Sequence, residues 1–406
     1  MPQMPAGAVA PIPDRDGPGA LRATLAAACA SLVGIGLARF AYTPLIPALV
    51  AAGWMSPSDA AYAGAANLAG YLAGALAAPR LAARLPLPAL LRAMMLLAAV
   101  SFPACAFPLS AAWMSAWRFA AGLSGGALMV LAAPAVLPHV APERRGLAGG
   151  VIFAGVGLGV AASGTLVPAL LSRGLEAAWA GLGAAALLLT LLAWNGWPAR
   201  TAVAAAPGPA AAPAPGLAAL CWVYGLNAVG LVPHMVFLAD YVARGLGRGI
   251  GAGAWVWVLF GLGAVAGPLL LGRLADRLGF GRTLRLALPV QAACVALPLL
   301  DAGELAVGVS AVLVGAFVPG IVPVVLGRVH RLVSGEAARR AAWSRATAAF
   351  ALGQAAGAYA LSFLFDRSGG DYRLLFAAGA GALLLALAVE LATASHAPSQ
   401  AKEDPS

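Results

Sequence analysis

Apolar residues in this chain form long, unalternating runs separated by short polar or turn-forming segments. A helix needs about 20 apolar residues to cross a bilayer, and only closed hydrogen-bonding structures are stable in lipid. Half-buried strands would alternate apolar and polar positions, which these runs do not do. The pattern therefore predicts an all-α integral membrane protein with twelve transmembrane helices, at residues 22–51, 59–79, 87–108, 111–137, 146–171, 178–197, 217–241, 250–272, 284–300, 305–328, 341–365 and 373–392.

A proline-rich segment at 198–216, containing AAAPGPAAAPAPG, separates the sixth run from the seventh. Prolines cannot continue a helix and favour a semi-extended linker. We expect a cytoplasmic linker here, between an N-terminal six-helix bundle at 21–197 and a C-terminal six-helix bundle at 217–393. Residues 1–20 and 394–406 are expected to be cytoplasmic tails, and the first lacks the pattern of a signal peptide.

One thirteen-residue phrase occurs twice in the chain, 193 positions apart. Ala73–Leu85 reads AGALAAPRLAARL and Ala266–Leu278 reads AGPLLLGRLADRL, with eight of the thirteen positions identical. The paired arginines, Arg80 with Arg273 and Arg84 with Arg277, are stronger evidence of duplication than the alanines and leucines, which are common throughout the chain. Two parallel repeats are typical of transporters whose halves rock around a site between them.

Composition places most of the surface in lipid. The chain has 406 residues, of which 62% are hydrophobic and 10% charged, against roughly 25% charged in soluble domains. The net charge of +10 can indicate nucleic-acid binding, but the arginines are scattered among apolar runs, so we expect no nucleic-acid partner. Fifteen arginines lie at one set of loops and helix ends and five at the other, so the positive-inside rule predicts that both termini are cytoplasmic.

The first helix pair carries a recognisable residue pattern. The sequence Arg39-Phe40-Ala41-Tyr42-Thr43-Pro44 is followed by Pro47, Asn67, Gly70, Tyr71 and Gly74. This stretch resembles the YbfB/YjiJ-type branch of the major facilitator superfamily, and the superfamily resemblance extends over about 20–393. The resemblance implies two six-helix bundles and transport by alternating access, without naming a substrate.

A loop motif of the same superfamily has a counterpart after the eighth run. Gly272, Asp276, Arg277 and Arg282 resemble the cluster that gates the cytoplasmic side, in which glycines allow tight turns and the charges form a latch. The first-half copy has Ala83 where the acid is expected, so the latch does not carry over there. The alternative is ordinary anchoring of arginines at the cytoplasmic surface.

Arg39 lies inside the first predicted helix and Arg118 inside the fourth, both away from the loops. An arginine in lipid is costly, so each should face a wet cavity or a partner. We predict that both bind an anionic group of a substrate, together with Tyr42 and Asn67. The alternative is that they bond backbone carbonyls and join helices; the spacing of Arg118 and Gly122 resembles the superfamily's buried arginine with glycines after it.

The seventh helix adds polar residues on one stripe. Asn227 and His234 are predicted to bind substrate, with Gln354 as a further candidate from the eleventh helix. A lone histidine is more often structural, which remains the alternative for His234. His234 and Asp240 are the candidates for proton coupling, which is expected by family analogy.

Acidic residues are absent from the middle of every predicted helix, so a cavity holding two arginines should be positive. We therefore predict a secondary active transporter of a small anionic or zwitterionic solute that is monomeric and lies as a multi-pass protein in a bacterial inner membrane. No cofactor or metal is expected, since histidines and cysteines lack ligand spacing and no P-loop is present. The alternatives are an exporter of amphipathic compounds with structural arginines, and a channel or non-transporting sensor.

Overall fold

The computed structural model describes residues 18–141, 145–198, 216–300, 303–334 and 336–395, and the regular structure in these ranges is entirely helical. We number the membrane-length segments in chain order. They are α1 Gly19–Ala51, α2 Pro57–Ala82, α3 Leu87–Cys105, α4 Ala111–His139, α5 Arg145–Leu171, α6 Leu175–Ala193, α7 Leu217–Gly245, α8 Gly249–Leu278, α9 Phe280–Leu300, α10 Gly303–Leu332, α11 Glu336–Arg367 and α12 Tyr372–Ser395. The predicted all-α fold is confirmed.

Eleven of these segments are long and apolar enough to cross a membrane, and α2 is the exception. Its 26 residues are long enough to span, but its glycines, Asn67 and Tyr71 lower its hydropathy. It packs against α4 and α11, so protein rather than lipid surrounds much of it. A central helix of this kind does not need the apolar surface of a lipid-facing one.

The helix between Gly249 and Leu278 continues beyond the predicted end at 272. Gly272 therefore lies inside α8, and the tight turn predicted at this residue is wrong. The turn falls at Gly279, whose φ of +82° favours glycine, because L side chains rarely adopt that conformation. The arginines of the last turn can reach the aqueous boundary with their long side chains, so the charged end stays helical.

Three glycine contacts repeat in the two halves at the spacing of 193 residues. A Cβ added to Gly70 would lie 2.0 Å from the carbonyl oxygen of Phe119, and one added to Gly263 would lie 2.0 Å from that of Val312. The same relation holds for Gly74 with Leu123 and Gly267 with Ala316, and for Gly122 with Asn67 and Gly315 with Phe260. The α2–α4 and α8–α10 crossings are therefore copies of one close backbone contact, as the duplicated phrase predicts.

Both halves interrupt their first helix at corresponding positions. In α1 the segment Phe40–Leu45 is wound as a 3₁₀ helix, and in α7 the segment Pro233–Phe237 is wound as a π-helix. An offset of 193 places 233–237 on 40–44. Such irregular turns often occur at functional sites, because they redirect side chains and free backbone carbonyls.

Contacts between the halves close one side of the molecule. Because the segments α1 to α12 run back and forth and are even in number, both ends of the described chain fall on the same side of the bundle, which we call the tail side, and the opposite side is the distal side. At the distal ends of α2 and α11, Ser58 Oγ donates to Asp366 Oδ1 at 2.6 Å. Deeper in the same two helices, the rings of Tyr62 and Tyr359 lie 6.4 Å apart. Most of the predicted linker and tails, at 1–17, 199–215 and 396–406, lies outside the described residues, so the domain boundaries stay a prediction.

Candidate functional site

A small cavity lies where the irregular turns of α1 and α7 meet. Its volume is about 10 Å³, which is room for one water molecule. Seven of its lining residues come from the first half and two from the second: Arg39, Tyr42, Thr43, Gly64, Asn67, Leu68, Arg118, Met235 and Val236. Four of the predicted substrate-binding residues therefore meet here.

Arg118 binds the backbone of α1 with its guanidinium. Nη1 donates to the carbonyl oxygen of Ala38 at 2.6 Å, and Nη2 donates to that of Arg39 at 3.3 Å. The same guanidinium lies 4.2 Å from the ring centroid of Tyr42, which is a cation–π distance. Arg118 is 2% exposed. In this conformation it joins α4 to α1, while its place in the cavity lining keeps it within reach of a ligand.

Asn67 and Tyr42 hold the same corner of the cavity together. Asn67 Nδ2 donates to the carbonyl oxygen of Arg118 at 2.9 Å, which links α2 to α4. The Tyr42 hydroxyl donates to the carbonyl oxygen of Ala60 at 2.8 Å, which links α1 to α2. Both side chains are buried, so these bonds fix the cavity wall of the first half.

Arg39 is the less constrained of the two cations. Its Nη2 contacts the Met235 sulfur at 3.8 Å, and its guanidinium lies 5.0 Å from the ring centroid of Phe40 and 5.2 Å from that of Tyr71. On the other side of Met235, Gln354 Nε2 donates to the same sulfur at 3.6 Å. Arg39 and Gln354 thus approach each other from opposite halves across one thioether.

Several buried polar atoms around the cavity lack a protein partner. Within the part of the chain that the structure describes, these include Arg39 Nε, Asn67 Oδ1, Arg118 Nε and Gln354 Oε1. Buried polar groups are hydrogen-bonded in most proteins, so a cluster of open donors and acceptors calls for water or a ligand. The open atoms suit a solute that both accepts and donates hydrogen bonds.

The charge at the cavity is one-sided. Among the described residues that line it, two are arginines and none is acidic. The repeat offset places Val232 on Arg39, Ala311 on Arg118 and Phe260 on Asn67, so the second half carries no copy of this polar cluster. The positive charge at the cavity therefore comes from one half only and faces Met235 and Val236 of the other half, with Gln354 in contact with the Met235 sulfur.

Asn227 and His234 lie inside the second bundle instead of lining this cavity. Asn227 Nδ2 donates to Gln291 Oε1 at 2.7 Å, and both side chains are buried. His234 Nε2 lies 2.7 Å from Ser310 Oγ, which itself donates to the carbonyl oxygen of Cys294 at 2.6 Å. The hydroxyl proton is thus engaged, so the His234 ring must donate to Ser310. Their predicted contact with substrate has no support in this conformation.

Asp240 lies near the distal end of α7 in a buried ionic cluster. Arg244 Nε donates to Asp240 Oδ1 at 2.5 Å, and Arg244 Nη2 donates to Oδ2. The hydroxyl of Tyr372, from α12, donates to Oδ2 at 2.5 Å. The segment Leu238–Asp240 packs on Phe40–Leu45 of the first half, so this carboxylate lies close to the junction of the two halves.

The predicted gating motif lies at the tail side of α8 and the start of α9. The side chains of Arg277 and Arg282 are exposed there. The side chain of Asp276 lies outside the described residues, and Gly272 is an interior helix position. The latch therefore stays a prediction.

Met235 is the site residue that the sequence patterns did not indicate. Besides its sulfur contacts, its carbonyl oxygen accepts a hydrogen bond from Thr43 Oγ1 at 2.8 Å. The carbonyl oxygen of Met235 therefore binds the first half, and its sulfur contacts both halves, through Arg39 and Gln354. The signal that could have found it is the repeat, because 235 is 193 positions after Tyr42.

The chain matches, over residues 31–391, a family described as "Uncharacterised MFS-type transporter YbfB". No curated protein matches it. Among solved structures it is similar to a bacterial homolog of the human lysosomal transporter Spinster, seen in two inward-facing conformations. The occupied one has a TM-score of 0.68 at 15% identity and covers 95% of this chain and 98% of that one. The unoccupied one has a TM-score of 0.64 at 15% identity, with 94% and 96% covered.

The chain is a multi-pass transporter with the major facilitator superfamily (MFS) fold. This follows from the family and structural likenesses, and it agrees with the repeated membrane-length helices and the cavity between the halves. Proteins of this class are secondary transporters that work by alternating access, not enzymes. The chain belongs to the YbfB-type family, since the family match spans most of it. The resemblance carried by Arg39–Pro44 and the residues after it is confirmed.

Proposed function

We propose that this protein transports a small organic anion or zwitterion, which binds in the cavity between Arg39 and Gln354. The observation that carries the proposal is the pair of arginines at a buried cavity whose described lining contains no acid. Burying charge is costly unless it is paired, and two guanidiniums at membrane depth are expensive for the empty protein. An anionic group would compensate that charge.

Arg39 is the proposed primary contact and Arg118 a second one that also positions α1. Arg39 has a single weak sulfur acceptor at Nη2, whereas both Nη atoms of Arg118 are bonded to carbonyl oxygens. The open Asn67 Oδ1 and Gln354 Oε1 are acceptors that would suit an ammonium or hydroxyl group of the same solute. This combination supports a carboxylate with a neighbouring donor.

The orientation rests on arginine placement. We propose that the tail side is cytoplasmic and that the protein lies in a bacterial inner membrane, because arginines are concentrated on that side. The Ser58–Asp366 and Tyr62–Tyr359 contacts then close the outer face. Two bundles, at 21–197 and 217–393, would rock about the cavity as a monomer, with the α8–α9 charge motif latching the inner face.

Proton coupling is proposed through Asp240. Its buried carboxylate is faced by Arg244 from α7 and by Tyr372 from α12, and the segment that carries it packs against α1 next to Tyr42. Protonation would weaken the bond to Arg244 and loosen this distal cluster. His234 is the weaker candidate, because its ring is sealed between Ser310 and Phe376.

One observation favours the alternative of an exporter with structural arginines, namely the bonds from Arg118 to backbone carbonyls. The two functions differ in the solutes they carry. An amphipathic exporter would accept cationic or neutral compounds with large apolar parts, whereas the cationic site would reject cations.

The test is uptake into proteoliposomes of labelled solutes matched in shape and different in charge. Benzoate, benzamide and benzylamine form one such set, and alanine, lactate and propylamine form another. We expect saturable uptake within the anions and zwitterions. Saturable uptake of the amines with anions ignored would contradict the proposal, non-saturating flux would indicate a channel, and no flux of any solute under imposed gradients would indicate a sensor.

A further inference from the structure

Two strong donors meet one weak acceptor at the centre of the molecule. Arg39 Nη2 and Gln354 Nε2 both contact Met235 Sδ, at 3.8 and 3.6 Å. A thioether sulfur is a weak acceptor, whereas a guanidinium and an amide normally bind oxygen. Gln354 is 1% exposed, so water does not compensate readily for the poor acceptor. Both donors are thus under-satisfied in this conformation.

The cavity beside this sulfur is too small for a solute as it stands. Its volume of about 10 Å³ holds one water, and Met235 is part of its wall. A methionine side chain is unbranched with three rotatable bonds, so it can repack without a change of backbone. The Met235 backbone stays fixed while the side chain moves, because its carbonyl oxygen accepts a hydrogen bond from Thr43 Oγ1 at 2.8 Å.

We propose that a substrate carboxylate binds at the position of the Met235 sulfur, between Arg39 and Gln354, and that the Met235 side chain sets affinity by competing for both donors. This inference rests on the proposed function and names the subsite for the anionic group. An oxygen anion makes charge-assisted bonds to a guanidinium, which are about twice as strong as neutral ones. The carboxylate therefore displaces the thioether, and the displaced side chain leaves space for the rest of the solute.

Such an exchange also joins the two halves. In the structure the link from Arg39 to Gln354 runs through a sulfur that neither donor binds strongly. With a carboxylate in place, one oxygen accepts from Arg39 of the first half and the other from Gln354 of the second. Occupancy of this subsite therefore strengthens the contact between the bundles at the level of the cavity.

The test compares Met235→Leu with Met95→Leu in proteoliposome uptake of the anion that the wild type carries. Leucine keeps the apolar volume but removes the sulfur acceptor, so the two donors have no competitor for the carboxylate. We expect the KM of Met235→Leu to fall about three- to ten-fold, which corresponds to one lost hydrogen-bond acceptor. Met95 is fully buried in α3, away from the cavity, so its variant should keep the wild-type KM.

A second measurement follows the sulfur directly. In protein with ¹³C-methyl methionine, the Met235 signal, assigned by its loss in Met235→Leu or Met235→Ile, should shift on adding benzoate and stay unchanged with benzamide. Equal KM values in Met235→Leu, Met95→Leu and wild type would overturn this inference but not the proposed function. The same holds if the protein transports benzoate and benzoate leaves the Met235 signal unchanged. Absence of anion uptake by the wild type would instead overturn the proposed function.

Discussion

Arg118 Nη1 donates to the carbonyl oxygen of Ala38 at 2.6 Å, one residue before Arg39 in the chain. The bond holds α4 against α1 between two irregular stretches of α1, the π-helical segment Leu32–Leu37 and the 3₁₀ segment that begins at Phe40. A carbonyl freed by an irregular turn needs a donor in lipid, and a buried guanidinium supplies it. Arg118 therefore shapes the backbone that presents Arg39 to the cavity.

Replacing Arg118 should cost stability as well as transport. Hydrogen bonds from charged groups contribute about 1.5–3 kcal/mol each, so Arg118→Gln should lower the free energy of unfolding by about 3 kcal/mol. Thermal unfolding in detergent measures the change. Arg80→Gln is the matched control, because the Arg80 side chain is exposed and bonds only within its own helix, to Leu76. Equal melting temperatures for both variants would contradict this role.

The repeated glycine contacts predict equal effects at equivalent positions. Gly70→Ala and Gly263→Ala each place a Cβ 2.0 Å from a carbonyl oxygen, so each should destabilise by about 2 kcal/mol or more. Gly149→Ala is the control, because a Cβ there meets nothing within 4 Å and alanine favours helix. Unfolding temperatures check this; a neutral result at either of the first two positions would show that the crossings are looser than described.

The Ser58–Asp366 bond is expected to favour conformations in which the distal side is closed. Removing it with Ser58→Ala should raise the open population about five-fold, if the bond contributes about 1 kcal/mol. The labelling rate of Ala61→Cys, at a buried position beside Tyr62, with an impermeant maleimide and the four native cysteines replaced, measures the opening. Ser172→Ala, which loses only a local bond to the carbonyl oxygen of Ala169 at the end of α5, serves as the control. An unchanged labelling rate in Ser58→Ala would show that this bond does not help to keep the distal side closed.

Asp240→Asn tests proton coupling. The amide cannot take up the proton, so a proton gradient should no longer accelerate net uptake, while exchange of labelled for unlabelled solute should persist. Asp371→Asn, at an exposed turn before α12, is the control and should keep the full response to the gradient. Both rates are measured in proteoliposomes with imposed pH differences. If uptake by Asp240→Asn still responds to the proton gradient, Asp240 is not the proton-coupling residue.

The helices and the repeat could be predicted because lipid constrains sequence strongly. Backbone bonds must close within each span, and the duplicated phrase fixes which helices correspond. The cost of Arg39 and Arg118 in lipid likewise marked the site. Gln354 was indicated only weakly, and the positions of Asn227 and His234 within the second bundle were not foreseeable, because helical periodicity gives a face but not its neighbour.

Met235 shows the limit of residue-type reasoning. A methionine in an apolar run looks like any core residue, and only the packing of two halves brings its sulfur between two donors. The end of α8 shows a similar limit, since the sequence suggested a turn at Gly272 and the helix continues through it. Tertiary contacts, which no local pattern encodes, decide the first case, whereas in the second the charged last turn of α8 stays helical beyond the apolar run.

The most direct test of the cationic site is saturable carboxylate uptake by Arg39→Gln and Arg39→Lys beside the wild type. Loss of a charge-assisted bond of about 1.5–3 kcal/mol should raise the KM of Arg39→Gln by roughly ten-fold or more. Arg39→Lys should recover part of that loss, because it keeps the charge but not the planar fork. Arg173→Gln, at an exposed distal loop, should behave as wild type. Wild-type KM and maximal rate in a folded Arg39→Gln would contradict an anion site at this cavity.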